Sequence, residues 1–311
     1  MLKDMLKLSL VNSSNIWKLL LYRFLCLLCV LGLTTVIAWP IISVLIKNNF
    51  FINLQNSFES IVFTLNFEKV FLTVDDIVKS FVEIISGNAL VVQTILCGTF
   101  VLILISLLEN YAKVALHQNV YGYMSSLTKY GFTNSYVANF GKATVLGVVK
   151  LITIVPINIF IWVGAYLLAS TLYTKIGVFA IVLVLLLLML VLSFKNTFIA
   201  GWIPAMIING ESVLKSLKMS FKSATRSFFK KYSSFLIYTV AVFMLNLLAL
   251  ALTAGVAMLV TLPLTTLMTA TLGEVMYFET LGMRYYVDTE HIVNPKKLEE
   301  RDSFQKLKDI I

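Results

Sequence analysis

Uncharged apolar runs of bilayer length alternate along this chain with short polar segments. Phe24 to Ile46, Ala89 to Leu108, Leu151 to Tyr173 and Ile176 to Phe194 contain few polar residues and, apart from the connector, no charged one. Lys175 lies in the connector between the last two. Each run is close to the ~20 residues a helix needs to cross a hydrocarbon layer. A further uncharged run from Lys231 to Glu274 is about twice that size, and Thr253, Ala254 and Gly255 near its middle predict a tight turn between two helices. Spans are therefore expected at about 24–46, 89–108, 151–173, 176–194, 233–253 and 256–278. No alternating barrel pattern is present, and a backbone in lipid must satisfy its own hydrogen bonds, so helices are expected throughout. The expected fold is an all-α polytopic transmembrane helix bundle of about six spans, a single membrane domain over 1–311 with interfacial amphipathic helices.

Composition agrees with lipid as the main solvent: 59% of residues are hydrophobic against 13% charged, and mean hydropathy is +0.89. Cys26, Cys29 and Cys97 all fall inside apolar runs, where no secreted disulfide framework is expected. The first run exceeds a signal-peptide core and reads as a retained span. Net charge is +9, and its distribution predicts orientation, because lysine and arginine concentrate on the cytoplasmic side. Lys195, Lys215, Lys218, Lys222, Arg226, Lys230 and Lys231 face one acid, Glu211, in a single connection. The N-terminal arm is also basic, so both termini are expected in the cytoplasm of a plasma-membrane protein, with 284–311 as a cytoplasmic tail.

The segment 47–88 carries Glu59, Glu68, Asp75, Asp76 and Glu83 against fewer lysines and is expected outside. Thr73 can cap a helix there, with Val74, Ile77, Val78, Phe81 and Ile85 on one face and Gly87 as terminator. Such a helix suits packing on the outer membrane surface, with a ligand-sensing cap as the alternative. On the opposite side, 211–231 reads as one interfacial helix: Leu214, Leu217, Phe221, Ala224 and Phe228 form an apolar stripe. Lys215, Lys218, Lys222, Arg226 and Lys230 run beside it, placed to contact lipid headgroups, and serines fill the remaining face. The expected partner is the bilayer itself, anionic lipids above all, with a protein docking face as the alternative. Nucleic acid is not expected as a partner, since the basic stripe is narrow and tethered between two spans.

An internal repeat is visible. Leu6-Lys7-Leu8-Ser9-Leu10 parallels Leu217-Lys218-Met219-Ser220-Phe221, each leading into a span, and a third copy could begin at Phe140-Gly141-Lys142. The alternative is low-complexity coincidence; a true repeat would make three helix hairpins, each introduced by an amphipathic helix, as in transporters built from repeats. The runs Ile199-Ala200-Gly201-Trp202-Ile203-Pro204, Leu262-Pro263-Leu264 and Tyr277-Phe278-Glu279 through Gly282-Met283-Arg284-Tyr285-Tyr286-Val287-Asp288 carry a resemblance. Through them the C-terminal half resembles the six-span integral membrane proteins of unknown function from low-GC Gram-positive bacteria. The resemblance implies location and topology, and no substrate.

No HExxH, GxSxG, Walker or GxGxxG motif occurs, so no enzymatic centre, metal or cofactor is expected. Cys26-x-x-Cys29 lies within a span and reads as apolar packing. Polar groups at span ends are better candidates because they are costly in lipid. Glu109, Lys195 and Glu274 form the candidate polar cluster, expected to converge on a cytoplasm-facing vestibule with Lys195 in salt-bridge reach of a carboxylate. The alternative is that all three reach headgroup water separately. Asn158 and Asn246 are expected to glue helices together. Two functions fit: a small transporter or permease-like component, which needs a polar path between helices, or a non-enzymatic membrane-organising or partner-binding protein, whose interior can be dry.

Overall fold

The computed structural model describes residues 1–64, 67–253 and 255–295. The expected turn residue Ala254 and most of the tail, 296–311, lie outside the described residues. Helices α1 (Leu2–Val11), α2 (Ser14–Lys47), α3 (Phe50–Thr64), α4 (Phe67–Gly87), α5 (Val91–Ser126) and α6 (Phe132–Ala138) make the first half. The second half contains α7 (Phe140–Ile176), α8 (Val178–Ile199), α9 (Trp202–Ile208), α10 (Val213–Thr225), α11 (Phe228–Thr253) and α12 (Met258–Leu281). A two-residue ribbon, β1 (Tyr285–Tyr286) against β2 (Ile292–Val293), follows. Six helical segments, those containing α2, α5, α7, α8, α11 and α12, are long and apolar enough to cross a membrane, so the chain is a multi-pass integral membrane protein.

Several spans outrun the bilayer. Helices α2, α5 and α7 have 34, 36 and 37 residues, hence about 50–55 Å at ~1.5 Å per residue, against ~30 Å of hydrocarbon. The apolar runs mark only the lipid-facing part of each helix. Both ends of the described chain lie at one end of the bundle, here called proximal, where Tyr285 donates to Asp4 at 3.1 Å and Lys7 pairs with Asp288 at 3.5 Å. The Asp288 carboxyl is pushed down to about 2 by the hydrogen bond from His291, with backbone N–H donors from Glu290 and His291 adding to it.

Burial is concentrated proximally. Leu8, Leu19, Leu116, Met124, Leu267, Phe278 and Tyr285 share one core, and Val114, Leu146, Trp202 and Met206 another. In α5 nearly all buried residues follow Ser106, while Val92, Ile95 and Leu96 in its distal turns are exposed, as side chains among acyl chains would be. At the distal end α3 and α4 form a helical hairpin. The expected start at Thr73 is not observed, because the helix begins at Phe67, and the preceding stretch is helical as well. Phe50 stacks toward Phe81 at 5.9 Å, over Ile41, Leu45, Ile85 and Cys97. Tyr166 of α7 donates to Asp75 at 2.7 Å, and Lys79 pairs with the same carboxylate; these contacts hold the Asp75 carboxyl below its usual range.

The spans close into a ring in chain order. Hairpin α2–α5 packs through α5 on α7, hairpin α7–α8 packs through α8 on α11, and hairpin α11–α12 returns through α12 to α2 and α5. Each hairpin is introduced by a short helix carrying a buried serine bonded to the hairpin before it. Ser135 of α6 donates to Asn119 of α5 at 2.7 Å, and Ser220 of α10 donates to the Phe198 carbonyl of α8 at 2.5 Å. Ser9 of α1 reaches Thr271 of α12 at 3.4 Å. The third introducing helix is α6, which precedes Phe140 rather than beginning there.

The helix expected over 211–231 is shorter than its periodicity suggests. It ends at Thr225; Arg226 is extended and Ser227 has φ of +57°, which breaks the helix, so Phe228 and Lys230 belong to α11. Serines form most of the face toward the protein: Ser216 and Ser220 are fully buried with Val213 and Ala224, and Leu217 packs on the second core, whereas Leu214 and Phe221 point away. Gly201 permits this docking, since a Cβ there would come within 3.0 Å of the Ser223 hydroxyl and 3.1 Å of that of Ser220.

Candidate functional site

The proximal part of the ring encloses a cavity of about 360 Å³ between α5, α7 and α8, with Phe235 of α11 and Thr269 of α12 closing it. Its polar wall is dense for a membrane protein: Ser106, Glu109, Asn110, Lys113 and His117 come from α5, Lys150 and Asn158 from α7, Lys195 and Asn196 from α8. The helical repeat explains the α5 contribution. Glu109, Lys113 and His117 recur every fourth residue and stack on one face. Counting from the distal helix ends, Glu109, Asn158 and Lys195 each sit roughly 25–27 Å along their helices, at the proximal border of a ~30 Å hydrocarbon layer. Lys113 and Lys150 lie roughly 6–12 Å further on, at headgroup depth.

Two of the three expected cluster residues line this cavity, and the third stands behind it. Glu109 is held by Arg23 at 3.0 Å and Lys113 at 3.3 Å, with Arg23 also donating to Thr266 at 2.8 Å. Glu274 is fully buried, its Oε1 lying 2.8 Å from Nδ1 of His117, while Oε2 has no hydrogen-bond partner. Lys195 is not paired with either carboxylate among the described ion pairs; it donates to Asn158 Oδ1 at 2.7 Å. The expected pairing of Lys195 with an acid is therefore absent among the described ion pairs: nearer cations hold Glu109, and Glu274 is directed to His117 through one oxygen only. Asn246 does join helices, accepting from Thr261 of α12 at 2.8 Å.

Lys150 and His117 are the residues that sequence reasoning undervalued. Lys150 precedes an apolar run and reads as a flanking lysine, yet its helix continues to Phe140 and carries the ammonium inward. There Lys150 donates to Asn110 Oδ1 at 2.9 Å and lies 5.6 Å from the centre of the Trp202 ring. The four-residue spacing of Glu109, Lys113 and His117 was the available signal. The wall thus presents the ammonium groups of Lys113, Lys150 and Lys195 against one carboxylate, Glu109, which Arg23 also engages. Among the described residues no group of His, Cys, Asp and Glu is arranged to hold a metal.

The headgroup-directed residues divide. Lys215 is tied to Glu211 at 2.7 Å and Lys230 to Glu279 at 2.8 Å, whereas Lys218, Lys222 and Arg226 are exposed on or beside α10. A smaller recess of about 220 Å³ lies between α3 and α4, lined by Asn53, Asp76, Ser80 and Glu83, away from the bundle centre. Compared with family models, curated protein sequences and solved structures, the chain matches none of them.

Proposed function

We propose that this protein is a small, non-enzymatic transporter or permease-like component of the plasma membrane, with the cavity between α5, α7 and α8 as its substrate vestibule. The observation that supports this reading is the polar cavity inside the ring of spans, since several lysines directed into the interior of a membrane bundle are costly and mark substrate paths more often than plain packing. The proximal end is assigned to the cytoplasm by the lysines and arginines that flank it. Helix α10, with Leu214 and Phe221 outward and Lys218 and Lys222 beside them, would then rest in the inner leaflet as an anchor.

Substituted-cysteine labelling tests both parts, in a background lacking Cys26, Cys29 and Cys97. Ser106→Cys should react with a membrane-impermeant thiol reagent in inside-out vesicles, and Asn53→Cys in intact cells. A transporter that alternates access should also show slower Ser106→Cys labelling from the outer face. If Ser106→Cys stays unreactive from both faces, the interior is dry and the organising alternative replaces the transporter.

A further inference from the structure

We infer that the vestibule is an oxyanion site, taking a phosphate or carboxylate group between Lys150 and Lys195, with Lys113 at its rim. This deepens the transporter reading by naming the chemistry of the ligand, though binding alone does not require transport. The argument begins with charge. Lys113, Lys150 and Lys195 line one cavity, and the only carboxylate in its wall already meets Lys113 and Arg23. Glu274 could supply a second negative charge, but it lies behind His117 and is directed to it. Lys150 and Lys195 have no carboxylate partner among the described ion pairs, and each makes its side-chain hydrogen bond to an asparagine oxygen.

An ammonium group has three donors and no acceptor, so one asparagine contact leaves capacity on each lysine. Directing two such groups into one cavity between the hydrocarbon border and headgroup depth, with no carboxylate partner for either, is unfavourable unless an anion shares the site. The asparagines do more than satisfy the lysines. Asn110 is itself anchored to the Ser106 carbonyl at 2.6 Å, so Lys150 is positioned through a fixed amide. The ring of Trp202, fully buried, lies 5.6 Å from the Lys150 ammonium and restricts it from one side. These are features of a preorganised site rather than of lysines that snorkel freely.

The depth of the site admits two sources for the same chemistry: a free anion entering from the proximal end, or the headgroup of an anionic lipid. Leu102 and Ile105, on the hydrocarbon side of the cavity and partly exposed, could accompany the acyl part of a lipid.

The test uses the full chain, delipidated in neutral detergent, with its melting midpoint followed by tryptophan fluorescence. The probes are inorganic phosphate, against chloride at equal ionic strength, and nanodiscs of phosphatidylcholine with or without phosphatidylglycerol. Wild type should gain ~3 °C or more at saturating probe, the size expected when a ligand binds only the folded form. Lys150→Met and Lys195→Met should each lose most of that gain, while Lys142→Met, on the exposed face of α7, should retain it. A gain with phosphate identifies a free oxyanion, and a gain with phosphatidylglycerol alone identifies a headgroup; either supports the site. No gain with either probe, or an undiminished gain in both lysine variants, overturns it. Because this readout does not depend on Ser106→Cys labelling, a sealed vestibule and a vestibule without anion affinity give different results.

Discussion

Removing either member of the His117–Glu274 pair should destabilise the protein more than removing both. Glu274 is fully buried on α12 and His117 almost so on α5; their contact at 2.8 Å joins two spans that belong to different hairpins. Because Oε2 of Glu274 has no partner, histidine supplies the only hydrogen bond this carboxyl makes among the described residues. His117→Leu therefore strands a whole buried carboxyl group, and the expected cost is about 1–3 kcal/mol, as for leaving a buried polar group without its hydrogen-bond partner. Glu274→Leu leaves one imidazole nitrogen without an acceptor next to a polar cavity, which should cost about 1–3 kcal/mol. The double leucine variant removes both polar groups together, and its cost should fall to about 1 kcal/mol or less.

The cycle is therefore non-additive, with a coupling of at least about 1 kcal/mol. It can be measured by unfolding in mixed micelles of rising sodium dodecyl sulfate content. Trp202 is a suitable reporter, since it is fully buried, while Trp17, Trp39 and Trp162 are 66%, 58% and 58% exposed. If the two single costs simply add in the double variant, the pair is not an isolated buried unit and the argument fails.

Gly273→Ala would place a Cβ 2.9 Å from the Ala200 carbonyl oxygen, so it should cost about 1–3 kcal/mol. Gly164→Ala, with nothing within 4 Å, should be neutral or slightly stabilising in the same unfolding assay. Tyr166→Phe should loosen the distal hairpin, seen as faster amide exchange in α4. The same contact should persist above the ordinary aspartate value of about 3.9 and be lost as pH falls through the depressed value of Asp75. A nitroxide at Phe221→Cys should be more accessible to oxygen than to a water-soluble nickel chelate, because the side chain faces the acyl region; the opposite ratio would place α10 in water.

The number and type of the long helices were legible because lipid forces long apolar runs, and the runs around Phe24–Ile46 and Leu151–Tyr173 can be nothing else. Their true ends were not. Arg23, Glu109 and Lys150 bound the uncharged runs, yet α2, α5 and α7 continue through them, since beyond the hydrocarbon a helix needs only a packed face, not a uniformly apolar one. For the same reason the cluster was half legible. Glu109 and Lys195 were found as costly charges, but Arg23 and Asn158, which meet them from other helices, depend on a register that a sequence does not give. On α10 the expected apolar stripe is split: Leu214 and Phe221 are exposed, but Ala224 is buried, Leu217 packs on the core and Phe228 belongs to α11, while small hydroxyl side chains allow close backbone approach, so Ser216 and Ser220 face inward.

The serines also give the repeat a physical meaning. Ser9 and Ser220 occupy matching places in the two sequence copies, and both are buried against the last span of the hairpin that precedes them around the ring. Ser135 does the same for the hairpin whose sequence match was weakest. Three short helices thus latch three hairpins into a closed circle, the arrangement expected of parallel repeats about an axis along the membrane normal. The proposed vestibule lies where this pattern is interrupted. Helix α12 packs on both α2 and α5, and its Glu274 meets His117, so one sector is sealed and the open space is left between α5, α7 and α8. If the latches are equivalent in role, their energies should follow their geometry. Ser135→Ala and Ser220→Ala, which lose bonds of 2.7 and 2.5 Å, should each cost about 1 kcal/mol or more. Ser9→Ala, with oxygen atoms 3.4 Å apart, should cost clearly less; a larger loss at Ser9 than at the other two would show that the first hairpin is held by something other than its latch.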